Sequence, residues 1–179
     1  MTKITEKIKI PEDIVCTYTN KIIHCKKDST EISKKFVSPL MELKINGNVI
    51  ILESRKSDKR GRKTINSFIA HIKNIFQGLE KPHQYKLEAC NVHFPMSLKI
   101  EGSKLAINNF LGEKTPRYAE ILPNVNVLIK GTQITISSPD KEAAGQTAGN
   151  MELATKVKAR DRRIFQDGIY IVSKPEDKK

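Results

Sequence analysis

Tryptophan is missing from this 179-residue chain, and aromatic residues make up only 6% of it. A hydrophobic share of 38% can build a core, but not a generous one. A chain of this length suits one domain or two small ones. Small domains bury a modest fraction of their surface, which leaves little room for the inserts that carry elaborate active sites. Cysteine is scarce as well. Cys16, Cys25 and Cys90 are odd in number and unevenly spaced, which argues against a disulfide framework. No stretch approaches the ~20 apolar residues of a membrane-spanning helix. The N-terminal residues Met1 to Ile8 lack the apolar core of a signal peptide, so a soluble intracellular protein is expected. Acidic residues are in deficit, with 20 Asp and Glu against 32 Lys and Arg and a net charge of +12. That excess points to a polyanionic partner, most often nucleic acid.

The positive charge is clustered in two places. Arg55-Lys-Ser-Asp-Lys-Arg-Gly-Arg-Lys63 carries six basic residues against one Asp. Lys156-Val-Lys-Ala-Arg-Asp-Arg-Arg163 carries five and runs directly into the apolar segment Ile164-Phe-Gln-Asp-Gly-Ile-Tyr-Ile-Val172. A charge run is usually a solvated face. The second cluster differs because arginine suits bidentate phosphate contact and because an ordered strand anchors it. Neither cluster has interleaved aromatics, which disfavours base stacking on single strands. Structured RNA, read through shape, phosphates and 2′-hydroxyls, is the better match.

Shifted by 84 residues, the chain echoes itself. Ile10-Pro11 falls on Phe94-Pro95, and Ile14 and Cys16 on Leu98 and Ile100. Leu43, Ile45 and Gly47 fall on Val127, Ile129 and Gly131, and Ile50 and Leu52 on Ile134 and Ile136. With a five-residue slip, Ile75-Phe-Gln-Gly78 answers Ile164-Phe-Gln-Asp-Gly168. Shared order over this length reads as a duplication. Each half has a hairpin, turning at Asn46-Gly47 in the first and Lys130-Gly131 in the second. A helix comes next. In the first half, Ile65, Phe68, Ile69, Ile72, Ile75, Phe76 and Leu79 form one apolar stripe, with Thr64 as the expected N-cap and Gly78 as the expected stop. The second helix is expected from Ser138-Pro139. Gly145 and Gly149 each cost it ~1 kcal/mol of propensity, which suits a helix lying against a close surface. Each half then ends in a strand, Tyr85–Ala89 and Ile169–Val172. The expected fold is α+β, two duplicated domains over residues 1–89 and 90–179, each a small mostly antiparallel sheet with one packed helix.

Chemistry-bearing constellations are few. Cys90-Asn-Val-His93 has ligand-like spacing and His24-Cys25 could face it, but structural zinc is announced by paired short spacings. Cys16 and Cys25 fit apolar strand patterns, where Cys is a small core residue. There is no Gly-x-Ser-x-Gly elbow and no phosphate-cradling glycine loop. Asp140 and Glu142 suit a helix N-terminus. Asp167 is expected to make a turn with Gly168, and Asp161 to neutralise the arginines beside it. His71 reads as a boundary residue of the first helix. No catalytic, metal or cofactor residue is assigned.

The segments His93-Phe-Pro-Met96, Asn109-Phe-Leu-Gly-Glu-Lys114 with Arg117, and Asp161-Arg-Arg-Ile-Phe-Gln-Asp-Gly-Ile-Tyr170 resemble the universal large-subunit ribosomal protein family L-six, counted as L-nine in eukaryotes. The helix and the following Tyr85-Lys86 are similar to it too. The resemblance covers nearly the whole chain and sides with the archaeal and eukaryotic branch. It implies two duplicated α+β domains with no enzymatic activity and no cofactor. It further implies binding of large-subunit rRNA near the sarcin–ricin loop and stalk base, beside neighbouring ribosomal proteins including those of the stalk base. The protein would be a monomer within the ribosome, away from membranes, cytoplasmic, and nucleolar during assembly if eukaryotic. Much of the rRNA contact is implied for the second domain. By matched position it falls to Lys114, Arg117, Lys156, Lys158, Arg160, Arg162 and Arg163.

Two other classes stand beside this expectation. One is a metal-dependent RNA-processing enzyme built on paired carboxylates. The other is a basic membrane-surface protein, which calls for an amphipathic helix with a cationic face. The expected helix from Thr64 to Gly78 contains only Lys73 as a cation.

Overall fold

Alternating apolar residues dominate both halves of the chain, and strands form from them. The computed structural model describes residues 4–39, 41–55, 58–161 and 163–175. Its contacts divide the chain into two units, Met1–Lys81 and Pro82–Lys179. The first contains β1 (Ile4–Lys9), β2 (Val15–Thr19), β3 (Ile22–Lys27), β4 (Thr30–Lys35), β5 (Met41–Asn46), β6 (Val49–Ser54) and α1 (Lys59–Glu80). These strands make two three-stranded antiparallel sheets, ordered β1-β6-β5 and β2-β3-β4. The second contains β7 (His83–Cys90), β8 (Ser97–Glu101), β9 (Lys104–Asn108), β10 (Arg117–Glu120), β11 (Asn126–Lys130), β12 (Gln133–Ser138), α2 (Lys141–Ala154) and β13 (Gly168–Ser173). Here the sheets are ordered β10-β9-β8 and β11-β12-β7-β13.

The duplication is visible in the registers. Leu43 faces Leu52 and Ile45 faces Ile50 in the β5–β6 hairpin. Val127 faces Ile136 and Ile129 faces Ile134 in the β11–β12 hairpin, at the same 84-residue offset. Both turns place a glycine at positive φ, Gly47 at 56° and Gly131 at 60°, where a side chain would be strained. The three-stranded meanders correspond differently. Cys16 faces Cys25 and Leu98 faces Ile107, an offset of 82. The match of Cys16 to Ile100 is thus two residues out of step. A slip of two keeps every side chain on its own face, so the hydrophobic pattern hides it.

Two expectations about the ends of the repeats need correction. The strand expected to close the first half, β7, is instead an inner strand of the second unit. It pairs with β12 on one side and with β13 on the other, where Ile169 faces Ala89 and Ile171 faces Leu87. The chain therefore divides after Lys81 and not after residue 89. In addition, Ile75–Gly78 lies within α1 while Ile164–Asp167 is a loop ahead of β13, so that local similarity is not a structural equivalence.

Helix α1 packs Ile72, Ile75, Phe76 and Leu79 into the first unit's core, with Phe68 and Ile69 at its margin, and Ile65 is buried as well. It begins five residues before Thr64. Asp58 is the N-cap, its carboxylate accepting from the Gly61 N–H at 2.7 Å. The Thr64 hydroxyl instead donates to the Arg60 carbonyl at 3.0 Å, one turn back inside the helix. Gly78 does not stop the helix. It is buried within it, and the chain leaves after Glu80, with Pro82 unable to continue the hydrogen-bond ladder. In α2 the cap is Asp140, which accepts from the Glu142 N–H at 2.9 Å. Ser138 is buried and donates to the Asn124 carbonyl at 2.8 Å. The close surface expected beside the glycines exists at Gly145, where a Cβ would lie 2.9 Å from the Tyr85 hydroxyl oxygen. The second unit's core joins Leu87, Leu105, Ile107, Phe110, Ile134, Ile136, Ala144, Ala148, Met151 and Ile169.

Candidate nucleic-acid interface

The second basic cluster lies in the connection between α2 and β13, residues 155–167. It is not the start of a strand, since β13 begins only at Gly168. Its fixity comes from side chains that tie the connection down at three points.

The first tie is at the end of α2. Thr155 is buried, and its hydroxyl donates to the Met151 and Glu152 carbonyls at 3.3 Å while accepting from the Ile169 N–H at 2.9 Å. The last turn of the helix is thereby joined to the sheet. Two residues on, Val157 is buried in the core. The flanking Lys156 and Lys158 point out and are exposed.

Arg117, on β10, makes the second tie. Its guanidinium forms a bidentate pair with Glu113, Nε to Oε2 at 2.7 Å and Nη2 to Oε1 at 2.5 Å. The same group donates through Nη1 to the Ala154 carbonyl at 2.9 Å and the Lys156 carbonyl at 3.4 Å. It also sits 4.3 Å from the centre of the Phe110 ring, a cation–π contact. The hydrogen bond from Arg117, reinforced by its charge and that of Arg160, holds the Glu113 carboxyl below its ordinary range against the opposing effect of burial. Arg117 thus uses most of its donors within the protein. It locks the turn that presents Lys114, and it neutralises carbonyls at the C-terminus of α2.

The third tie starts at Asp167, which is only 2% exposed. Its Oδ1 accepts from the Val92 and His93 N–H groups at 2.8 and 3.0 Å, and its Oδ2 lies 2.6 Å from His93 Nδ1. Burial pushes its pKa up, but the hydrogen bonds from His93 and Val92 and the His93 charge outweigh this and hold it below the usual value. The His93 ring stacks on Phe165 at 4.9 Å and 21°. The Arg160 guanidinium lies 4.8 Å from the centre of that same ring. A buried carboxylate therefore sets a histidine, the histidine sets a phenylalanine, and the phenylalanine seats an arginine.

Between Arg160 and Phe165 the backbone is turned by Asp161. Its carbonyl accepts from the Ile164 and Phe165 N–H groups, and its carboxylate accepts from the Arg163 N–H at 2.9 Å and pairs with the Arg163 guanidinium. The expected neutralisation of a neighbouring arginine is found here. The Arg163 side chain is nonetheless 91% exposed. Arg162 lies outside the described residues.

The structure brings Lys156, Lys158, Arg160 and Arg163 together on one tethered connection, with Arg117 beneath it. Lys114 stands exposed on the turn that Arg117 clamps. Reading the sequence missed Asp167 and His93. The expectation that Asp167 merely makes a turn with Gly168 is corrected: the carboxylate is buried and anchors a loop 74 residues away in sequence. The only local signal was an acidic residue inside an apolar run. Within the Cys90–His93 spacing, His93 is set through Nδ1 by the Asp167 carboxylate. Among the described residues, no group of three or more His, Cys, Asp or Glu is placed to hold a metal ion, and no helix is long and apolar enough to cross a membrane.

Comparison with known proteins gives the family. The family model for ribosomal protein L6 matches residues 94–168, a span that holds the Arg117 clamp and the whole α2–β13 connection. The chain is 41% identical to the large ribosomal subunit protein uL6 of Nanoarchaeum equitans, over 96% of this chain and 93% of that protein. It is 38% identical to uL6 of Saccharolobus solfataricus, over 96% and 95%. With uL6 of Haloarcula marismortui the identity is 36%, over 94% and 95%. Similarity at this level along both units, with the motif segments folded into one tethered basic site, places the chain in the uL6 family of large-subunit ribosomal proteins.

Proposed function

We propose that this protein is a structural constituent of the large ribosomal subunit whose second unit binds rRNA near the sarcin–ricin loop and the stalk base. Lys114, Lys156, Lys158, Arg160, Arg162 and Arg163 supply the phosphate contacts, and Arg117 holds the two segments that carry them. The observation that supports this most is the pinned α2–β13 connection. Its described cations Lys156, Lys158, Arg160 and Arg163 are exposed while its backbone is tied to α2, β10 and the residue 92–93 loop. Ordering flexible side chains on binding costs free energy. A fixed backbone and an arginine already seated on Phe165 reduce that cost, and rigid spacing of cations suits folded RNA. In this reading the second unit is the main rRNA-binding domain. The protein acts as a monomer among neighbouring ribosomal proteins, those of the stalk base included, in the cytoplasm. The uL6 family is one of ribosomal structural components, and the alternative of a metal-dependent RNA-processing enzyme is set aside on that ground.

The test is a footprint of the full chain on large-subunit rRNA, measured across a salt series. Wild type protects the sarcin–ricin region. Each phosphate contact contributes roughly 0.7–0.9 to the slope of log affinity against log salt. Replacing Arg160, Arg162 and Arg163 together with Ala lowers that slope by roughly 2–3 and weakens the footprint. An unchanged slope removes the cluster from the interface, and protection confined to another region refutes the location.

A further inference from the structure

Cys16 and Cys25 occupy facing positions on the neighbouring antiparallel strands β2 and β3. Their sulfur atoms are 2.8 Å apart. Cys25 is fully buried in the first unit's core, and Cys16 packs at its edge, partly open to solvent. At the corresponding register of the second unit the facing pair is Leu98 and Ile107. The meander therefore has no structural need of sulfur at these positions. Facing residues in an antiparallel ladder have Cα atoms ~4.5–5.5 Å apart, within the ~4.4–6.8 Å that a disulfide spans. Both side chains leave the same face of the meander, and a bond of ~2.05 Å requires the sulfurs to close by less than ~1 Å.

We propose that Cys16 and Cys25 form a redox modification site, a reversible cross-strand disulfide made when the protein meets a peroxide. The chemistry divides between the two thiols by position. Cys16 is the one that solvent and a small oxidant reach. The two thiols share a hydrogen bond in which either sulfur can donate; with Cys25 donating, the Cys16 thiol is held below its ordinary pKa, against the opposing effect of burial. The same bond, together with burial, pushes Cys25 up. The Cys16 thiolate attacks one peroxide oxygen and breaks the O–O bond, giving Cys16 sulfenic acid and hydroxide, which takes up a proton to become water. The Cys25 sulfur then attacks the Cys16 sulfur. It loses its proton, hydroxide departs from Cys16, and a second water forms. Two thiols are oxidised by two electrons and one peroxide is reduced to two waters. A small thiol reverses the bond by exchange. The product fastens β2 to β3 beside the core without moving either strand out of register.

The experiment uses the full chain with hydrogen peroxide as the probe, followed by unfolding, alkylation with N-ethylmaleimide and peptide mass spectrometry. In the treated wild type, Cys16 and Cys25 leave the alkylated pool together and appear as one linked peptide pair, ~2 Da lighter than the sum of the two thiol peptides. Prior reduction restores alkylation at both. Cys16→Ser changes only the partly exposed partner and preserves the core. In that variant Cys25 stays alkylated at the peroxide dose that links the wild type. The proposal is overturned if Cys16 accumulates as an unlinked sulfinic acid, if both cysteines remain alkylated after treatment, or if Cys25 in the Cys16→Ser variant is lost as fast as in wild type.

Discussion

Replacing Asp167 with Ala removes the acceptor of two backbone N–H groups and the partner of the His93 ring. A buried donor left unsatisfied costs ~1–3 kcal/mol. Val92 is 61% exposed, so water reaches part of the loop, and the low end of that range applies to each group. The total is about 2–4 kcal/mol of the second unit's stability. If Asp167 only made a surface turn with Gly168, the cost would stay within ~0.5 kcal/mol. Denaturant unfolding separates the two figures. Hydrogen exchange at the Val92 and His93 amides then localises the effect, since both amides open at least ~10-fold faster when their acceptor is gone. Asp167→Asn keeps the shape and one acceptor oxygen, and falls between wild type and Asp167→Ala. The pH dependence has a defined sign. Asp167 is held below its unfolded value of ~3.9. Its stabilisation is fully present above that value and is lost as pH falls through the lower folded pKa. Asp167→Ala therefore flattens the acid limb of the stability curve below pH ~4. An Asp167→Ala protein that unfolds at the wild-type midpoint, with unchanged exchange at Val92 and His93, refutes the buried-anchor reading.

The clamp and the helix glycines yield two further expectations. Arg117→Ala weakens rRNA binding by loosening the turns that carry Lys114 and Lys156, yet leaves the salt slope at its wild-type value. A slope lower by roughly 1 shows instead that Arg117 contacts a phosphate itself. Gly149→Ala, with nothing within 4 Å of the added Cβ, raises the thermal midpoint by the equivalent of up to ~1 kcal/mol. Gly145→Ala meets the Tyr85 hydroxyl at 2.9 Å and melts below Gly149→Ala, because the ring must move. Equal midpoints for the two variants would show that α2 does not press on β7 at Gly145.

The hairpins and the α1 stripe were legible in the sequence because they are local. Alternation at Leu43, Ile45, Ile50 and Leu52 and the glycine at the turn lie within a dozen residues, and the same pattern recurs 84 residues on. Helix ends were harder to read. Thr64 is a cap-type residue beside the stripe, but Lys59, Arg60, Arg62 and Lys63 before it lie inside the helix, although cations oppose the dipole at an N-terminus. Asp58 offsets them as the N-cap, accepting from the Gly61 N–H, and Gly61 is buried in the first turn. The basic cluster was found from composition, but the groups that fix it were not. Arg117 and the Ala154 carbonyl are 37 residues apart, and Asp167 and His93 are 74 apart. No local pattern announces a pairing at such distance.

The two repeats differ in the chain beyond the helix, and that difference bears on the proposed site. After α1 the chain passes through Lys81 and Pro82 straight into β7, which belongs to the second unit. After α2 it spends residues 155–167 in a connection before β13 returns antiparallel to β7 in the same sheet. The strand after the first helix thus belongs to the second unit's sheet. The first unit's own basic run falls at the start of the helix, where Lys59, Arg60, Arg62 and Lys63 occupy the first turns of α1. Like charges at a helix N-terminus oppose the dipole at ~0.3–1 kcal/mol each at low ionic strength. In the second unit the cations sit instead just past the C-terminal end of α2, the end that favours positive charge, and Arg117 already meets the Ala154 carbonyl there. One scaffold therefore carries charge in two electrostatically opposite settings. Only the second adds tethers from β10, from β13 and from the loop that Asp167 secures, which is why the second unit is the better platform for a fixed array of cations.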